Sequence, residues 1–121
     1  MGHRVEISGE KIIITFEGLE KIEAIKSRLE FNLKNIVYVS TETRKWIEGL
    51  RIGGTGLPGV IKEGRYVFRD GSKAFFAMRN PDECVTIQFK NEFYDYLIFD
   101  VDDKDKVANE IRKAANIKGE R

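Results

Sequence analysis

Arg51-Ile52-Gly53-Gly54-Thr55-Gly56-Leu57-Pro58-Gly59-Val60 lies near the middle of the chain and holds four of its eleven glycines and one of its two prolines. Within it, Gly54-Thr55-Gly56-Leu57-Pro58-Gly59 spells the G-x-G-x-x-G of dinucleotide-binding loops. Such a loop must open a helix whose free N–H groups hold a pyrophosphate. Pro58 instead biases Leu57 toward extended backbone, and Val60-Ile61-Lys62-Glu63-Gly64 reads as strand. The acidic residue required about 20 positions further on would fall near Met78, in an apolar hairpin. No Gly-Lys-Ser/Thr ending makes a P-loop. The stretch is therefore expected to turn the chain from one group of strands into the next, with no cofactor bound.

Before it, Val5 and Ile7 alternate with polar neighbours, Ser8-Gly9-Glu10 marks a turn, and Ile12, Ile14 and Phe16 resume at period two. These are two strands of a hairpin. Leu19, Ile22 and Ile25 or Ala24 recur at helical spacing and predict a short amphipathic helix over Leu19–Ser27. Leu29, Phe31 and Leu33 alternate again, Asn32 and Asn35 suit turns, and Ile36 to Thr41 is a β-branched run. Thr43 to Gly49 is expected to make one helical turn.

After it, Gly64–Arg69 and Lys73–Arg79 flank Asp70-Gly71, the strongest hairpin signal in the chain. A two- or four-residue loop would mix apolar and charged residues on both faces. A three-residue loop, Arg69-Asp70-Gly71 with Gly71 left-handed, gathers Tyr66, Phe68, Ala74, Phe76 and Met78 on one face. Arg65, Val67, Lys73, Phe75 and Arg79 take the other, with Arg69 at the tip. Asn80-Pro81-Asp82 turns. Val85, Ile87 and Phe89 predict a half-buried strand, Asn91-Glu92 turns again, and Tyr96 to Val101 is the last strand. Asp102 and Asp103 suit the start of a helix, and Val107, Ala108, Ile111 and Ala114 or Ala115 form its apolar stripe.

Length and composition set the bounds. A chain of 121 residues fits one domain, and 41% hydrophobic with 34% charged residues describes a globule with a charged surface. A net charge of +1 gives no overall pull toward nucleic acid or anionic membrane. One cysteine, Cys84, excludes an intrachain disulfide and a multi-cysteine zinc site. No apolar run approaches the ~20 residues that span a bilayer, and the first residues show no apolar h-region of the kind a signal peptide carries. A cytoplasmic location is expected.

Few residues suit catalysis. His3, the only histidine, sits at a terminus expected to fray, so His-based triads and metal sites are excluded. Cys84 reads as a small buried residue. Asp100, Asp102, Asp103 and Asp105 resemble a calcium loop, but the sixth and twelfth places, Asp105 and Ile111, lack the required glycine and glutamate; helix capping accounts for the cluster. No catalytic residue, cofactor or metal ligand is expected. A basic surface stands out: residues 44–79 carry eight Lys/Arg against three Asp/Glu, and residues 80–121 carry seven against ten. Arg65, Arg69, Lys73 and Arg79 on the hairpin, with Arg51 and Lys62 before it, are candidate anion-binding residues. The alternative is a solvated face whose cations discourage edge-to-edge pairing.

The strand-rich first half leading into Arg51-Ile-Gly-Gly-Thr-Gly-Leu-Pro-Gly, then Gly64-Arg-Tyr-Val-Phe, an Asp-Gly hairpin, two further strands and a closing helix, resembles the bacterial and archaeal pleckstrin-homology-like (PH-like) domains. The resemblance covers about residues 50–116. It implies a mainly β (α+β) fold, a bent antiparallel barrel or two orthogonal sheets of about seven strands capped by a C-terminal helix. It also implies a binding or assembly scaffold. The basic loop of lipid-reading relatives is absent, since Ser8-Gly9-Glu10-Lys11 is short and weakly charged, so no lipid-binding residue carries over.

The leading expectation is a non-catalytic module that binds a protein partner or a second copy of itself through sheet edges and exposed aromatics, Trp46, Phe93 and Tyr94. Anionic lipid on the basic hairpin comes second, with nucleic acid behind it. A small enzyme without His or Cys chemistry comes third.

Overall fold

A computed structural model describes residues 3–16, 28–52, 63–68 and 70–117, with 48–52 and 63 through their backbone alone. The glycine–proline stretch from Gly53 onward, the Leu19–Ser27 helix, Lys62 and Arg69 lie outside the described residues.

Eight strands and two α-helices form among the described residues. Strands β1 (Arg4–Ser8), β2 (Lys11–Thr15) and β3 (Arg28–Asn32) make an antiparallel sheet in the order β1-β2-β3. A five-stranded sheet holds β4 (Ile36–Ser40), β5 (Glu63–Val67), β6 (Lys73–Ala77), β7 (Cys84–Phe89) and β8 (Tyr96–Asp100), in the order β4-β7-β8-β6-β5. Helix α1 (Thr43–Ile52) lies between β4 and β5 in sequence, and α2 (Lys104–Ala115) follows β8. The fold is mainly β, with two sheets and a C-terminal helix. No closed barrel forms among the described residues. Nor is the larger sheet wholly antiparallel: β6 and β8 run parallel, with Phe75 beside Leu97 and Ala77 beside Phe99.

Period-two alternation places a core on each face of the larger sheet. On one face Phe75, Ala77, Val85, Ile87, Leu97 and Phe99 meet Ile12, Ile14 and Phe31 of the smaller sheet and Ala108 and Ile111 of α2. Phe31 stacks on Phe89 with ring centroids 4.1 Å apart. On the other face Ala74, Phe76, Cys84 and Ile98, with Phe68 and Met78, meet Trp46 and Ile47 of α1. With both faces covered, β7 is buried from Cys84 through Ile87 and is not the half-buried strand that its alternation suggested. Its apparently polar Thr86 is satisfied by a 2.8 Å hydroxyl contact with buried Thr43.

The β5–β6 hairpin has the expected register, Tyr66 opposite Ala74 and Gly64 opposite Phe76. Phe68 N–H donates to Ser72 O at 2.8 Å, Gly71 N–H donates to Phe68 O at 2.9 Å, and Gly71 has φ +91°. That is a three-residue loop closed by a glycine bulge. Asp70 accepts from the Ser72 hydroxyl and, second, from the Ser72 N–H, which hold its carboxyl below the usual range.

Helix α1 runs ten residues, well beyond the single turn expected, and takes in Arg51 and Ile52. One internal glycine, Gly49, costs only about 1 kcal/mol, which the packing of Trp46 and Ile47 outweighs. Helix α2 starts as expected: Asp103 caps it by accepting from Lys106 N–H. It ends sharply at Asn116, in the left-handed conformation (φ +60°). Ile117 N–H reaches Arg112 O at 2.9 Å, and Ile117 packs on the core. Of the alternative stripe residues, Ala115 packs inward and Ala114 is exposed. Among the described residues no helix is long and apolar enough to cross a membrane.

Candidate functional site

The β7–β8 connection, Lys90 to Asp95, is built as a bridge between the two sheets. At its start one Glu92 carboxylate oxygen accepts from the Asn32 N–H and the Asn35 side-chain amide, both at 2.9 Å. Lys90 N–H donates to Asn35 O at 2.8 Å. At its end the Asp95 carboxylate accepts from Lys73 N–H at 2.9 Å, while Asp95 N–H donates to Lys73 O at 2.8 Å. Asn91 supplies the reversal with φ +56°, a backbone region that asparagine tolerates better than most residues.

Two adjacent aromatics divide between inside and outside on this loop. Tyr94 is buried, its ring 5.7 Å from that of Phe75. Phe93 sits edge-on against Tyr94 and is 60% exposed. The Arg65 guanidinium lies 5.8 Å from the Phe93 ring centroid, and the Lys73 ammonium 5.2 Å. Both distances suit cation–π attraction. Beside them Val67, directly across the hairpin from Lys73, is 61% exposed. Phe93, Arg65, Lys73 and Val67 thus form one surface at the outer side of β5, which is the terminal strand of the larger sheet among the described residues.

The expected site residues do not all gather there. Arg79 stands at the other end of β6, six residues and about 20 Å from Lys73. Its backbone N–H is held by Asp100 at 2.7 Å. Arg69, Lys62 and the Arg51 side chain lie outside the described residues. Trp46 and Tyr94 are not the exposed aromatics expected. Trp46 is half-buried among Phe68, Phe76 and Tyr96, and Tyr94 is in the core. Phe75, placed on the basic face, is fully buried under the smaller sheet. That face is therefore a core with cations at its rim. Sequence reasoning missed the two acids that fix the loop. Their signal was present in Glu92-Phe93-Tyr94-Asp95, an aromatic pair with a carboxylate on each side.

Titratable groups elsewhere serve the fold. Asp100, buried, accepts from the N–H groups of Arg79 and Asn80 at 2.7 and 3.0 Å. Arg44 forks onto Asp82 at 2.8 and 3.1 Å, holding that carboxyl below the usual range. Burial first, then the negative charge of Asp100, pushes the Cys84 thiol far above its ordinary value. This leaves no thiolate at neutral pH. His3 is not frayed. Its N–H bonds Asp100 O, its Nε2 lies 3.1 Å from Ala77 O, and its ring meets Phe16 edge-on at 5.2 Å. An open cleft of about 250 Å³, walled by Glu10, Leu33, Lys34 and Ala114, lies between the first hairpin turn and the end of α2. It is smaller than the ~300–1,000 Å³ typical of ligand sites. Among the described residues no group of three His, Cys, Asp or Glu could hold a metal ion.

In comparisons with known proteins, no family model, no curated protein and no solved structure matches the chain.

Proposed function

We propose that the protein is a non-catalytic binding module that engages a protein partner, or a second copy of itself, through the outer side of β5 and the Phe93 tip. One observation carries the reading. An exposed aromatic ring is held by hydrogen bonds at both ends of its loop, beside a terminal strand whose outer side is unpaired among the described residues. Rigid aromatic anchors dominate protein contacts because they bury large area with little loss of side-chain freedom. The structural roles of Asp100, Asp103, Glu92, Asp95 and Cys84 support binding over catalysis. A PH-like relationship and a cytosolic setting belong to the same proposal. The two sheets and closing helix support the first, although the parallel β6–β8 pair departs from it; the buried single thiol supports the second.

Light scattering over a range of concentrations, together with retention of partners from the native host, tests the proposal. Wild type gains mass or a partner, and Phe93→Asp loses it. Equal behaviour of the two proteins would end this reading.

A second reading, recognition of anionic lipid or a nucleic-acid backbone, draws support from the convergence of Arg65 and Lys73 on one ring. Two cations on a chain of net charge +1 make a weak hold on either polyanion, so the protein contact is preferred.

A further inference from the structure

We infer that the partner of this surface is an acidic extended segment of a protein, added as a strand along β5 with a carboxylate opposite Arg65 and an apolar side chain opposite Val67. This rests on the reading of β5 and Phe93 as a contact surface, and it specifies the chemistry that the surface selects.

The backbone supplies the first part of the argument. Phe68 N–H donates to Ser72 O, so 68/72 is a hydrogen-bonded pair of the hairpin. Bonded and non-bonded pairs alternate along an antiparallel ladder. The pairs Tyr66/Ala74 and Gly64/Phe76 are therefore bonded, while Val67/Lys73 and Arg65/Phe75 are not. The N–H and C=O groups of Arg65 and Val67 consequently point away from β6, toward the outer side. They are the groups that an added strand would pair with.

The side chains supply the second part. Arg65 and Val67 share one face of the strand, the face on which Lys73 and Phe93 sit. Residues of an added strand opposite them are two positions apart and project onto that same face. Val67 and Phe93 offer exposed apolar surface. Arg65 and Lys73 offer charge, and among the described residues neither makes an ion pair. The carboxylates nearest in sequence to Phe93 are already used, Asp95 on Lys73 N–H and Glu92 on Asn32 and Asn35. The Phe93 ring carries two cations, so a stacked nucleobase would have to displace them. A carboxylate needs no such displacement and gains both charges.

Fluorescence anisotropy on the full chain tests this with three capped octapeptides in which the charged residue and Val stand two positions apart on one strand face: a Glu–Val peptide, Glu-Thr-Val-Thr repeated twice; a Lys–Val peptide, Lys-Thr-Val-Thr repeated twice; and the Glu–Val peptide N-methylated at each Glu and Val. The Glu–Val peptide is expected to bind at 50 mM salt and to weaken several-fold at 300 mM. The Lys–Val peptide should bind at least tenfold more weakly, and N-methylation should abolish binding by removing backbone donors. The double variant Arg65→Glu with Lys73→Glu, its fold checked by circular dichroism and melting, should reverse the preference toward Lys–Val. Equal binding of the Glu and Lys peptides, with the N-methylated peptide left unbound, would overturn the acidic partner and leave the strand-edge reading standing. Retention of phosphatidylserine vesicles or oligouridine, lost in the double variant, with no Glu–Val binding, would overturn it in favour of that other class. No peptide bound, with the double variant self-associating where wild type stays monomeric, would make the cations guards of the edge and overturn both readings. Failure of every probe would also overturn the inference.

Discussion

Lys73 and Asp95 are joined twice: the Lys73 N–H donates to the Asp95 carboxylate at 2.9 Å, and the Asp95 N–H donates to the Lys73 carbonyl at 2.8 Å. One residue begins β6 and the other precedes β8, so the pair fastens the loop that carries Phe93 to the larger sheet. Asp95→Ala leaves the Lys73 N–H without its acceptor. The expected loss is about 1–3 kcal/mol in urea unfolding, with faster amide exchange at Lys73. Unchanged exchange there would show that this contact does not hold the loop.

Glu92→Ala removes the acceptor shared by Asn32 and Asn35 and is expected to cost a similar amount, about 1–3 kcal/mol. The two acids hold opposite ends of one short loop, so their losses are coupled. The double variant should lose less than the two single losses together, because a loop freed at one end gains little from the other. Strict additivity in a double-mutant cycle would argue that the ends act independently.

Gly71→Ala probes the hairpin through its backbone alone, since an added Cβ there meets nothing within 4 Å. Its φ of +91° is strained for a residue with a side chain. About 1–2 kcal/mol of stability should be lost. A shift in melting temperature of either sign below 1 °C would contradict the assigned turn.

Cys84 has a folded-state ionisation raised above its ordinary value, chiefly by burial. The neutral thiol is therefore favoured by folding. Its contribution is fully present below the ordinary thiol range and is lost as pH rises beyond it, by at most about 1.4 kcal/mol per pH unit. Cys84→Ala should remove that part of the alkaline loss. At pH 8 the native protein should react with a thiol reagent far more slowly than the urea-unfolded chain; equal rates would refute the buried assignment.

The local half of this fold was legible in the sequence and the distant half was not. Alternation around Asp70-Gly71 fixed the hairpin loop length, because only one register kept Phe68 and Phe76 apart from Arg65. Asp103 was recognisable as a cap because acids are stabilised at helix starts. Period two, however, says which side chains share a face and not what covers it. The basic face assigned to Phe75 and the half-buried state assigned to the strand of Val85, Ile87 and Phe89 are therefore both wrong, because α1, α2 and the smaller sheet cover what period two leaves open. Composition cannot say which of Phe93 and Tyr94 turns outward, since the loop's anchors decide it. The candidate surface was legible as separate parts, two cations and one aromatic, and only the fold brings them to one ring. Of the acids bracketing that aromatic, Glu92 reads as an ordinary turn residue and Asp95 draws no reading, because their donors lie in β3, the turn after it and β6, far off in sequence.

The strand order β7-β8-β6 also has a consequence for synthesis. When β7 has left the ribosome, its final neighbour toward β6 has yet to be made. A slot one strand wide, roughly 10 Å from β6 to β7, must stay open until β8 emerges and slides in, antiparallel to one wall and parallel to the other. A nascent chain halted before Tyr96 would show water an unzipped sheet, and there a chaperone would find its purchase.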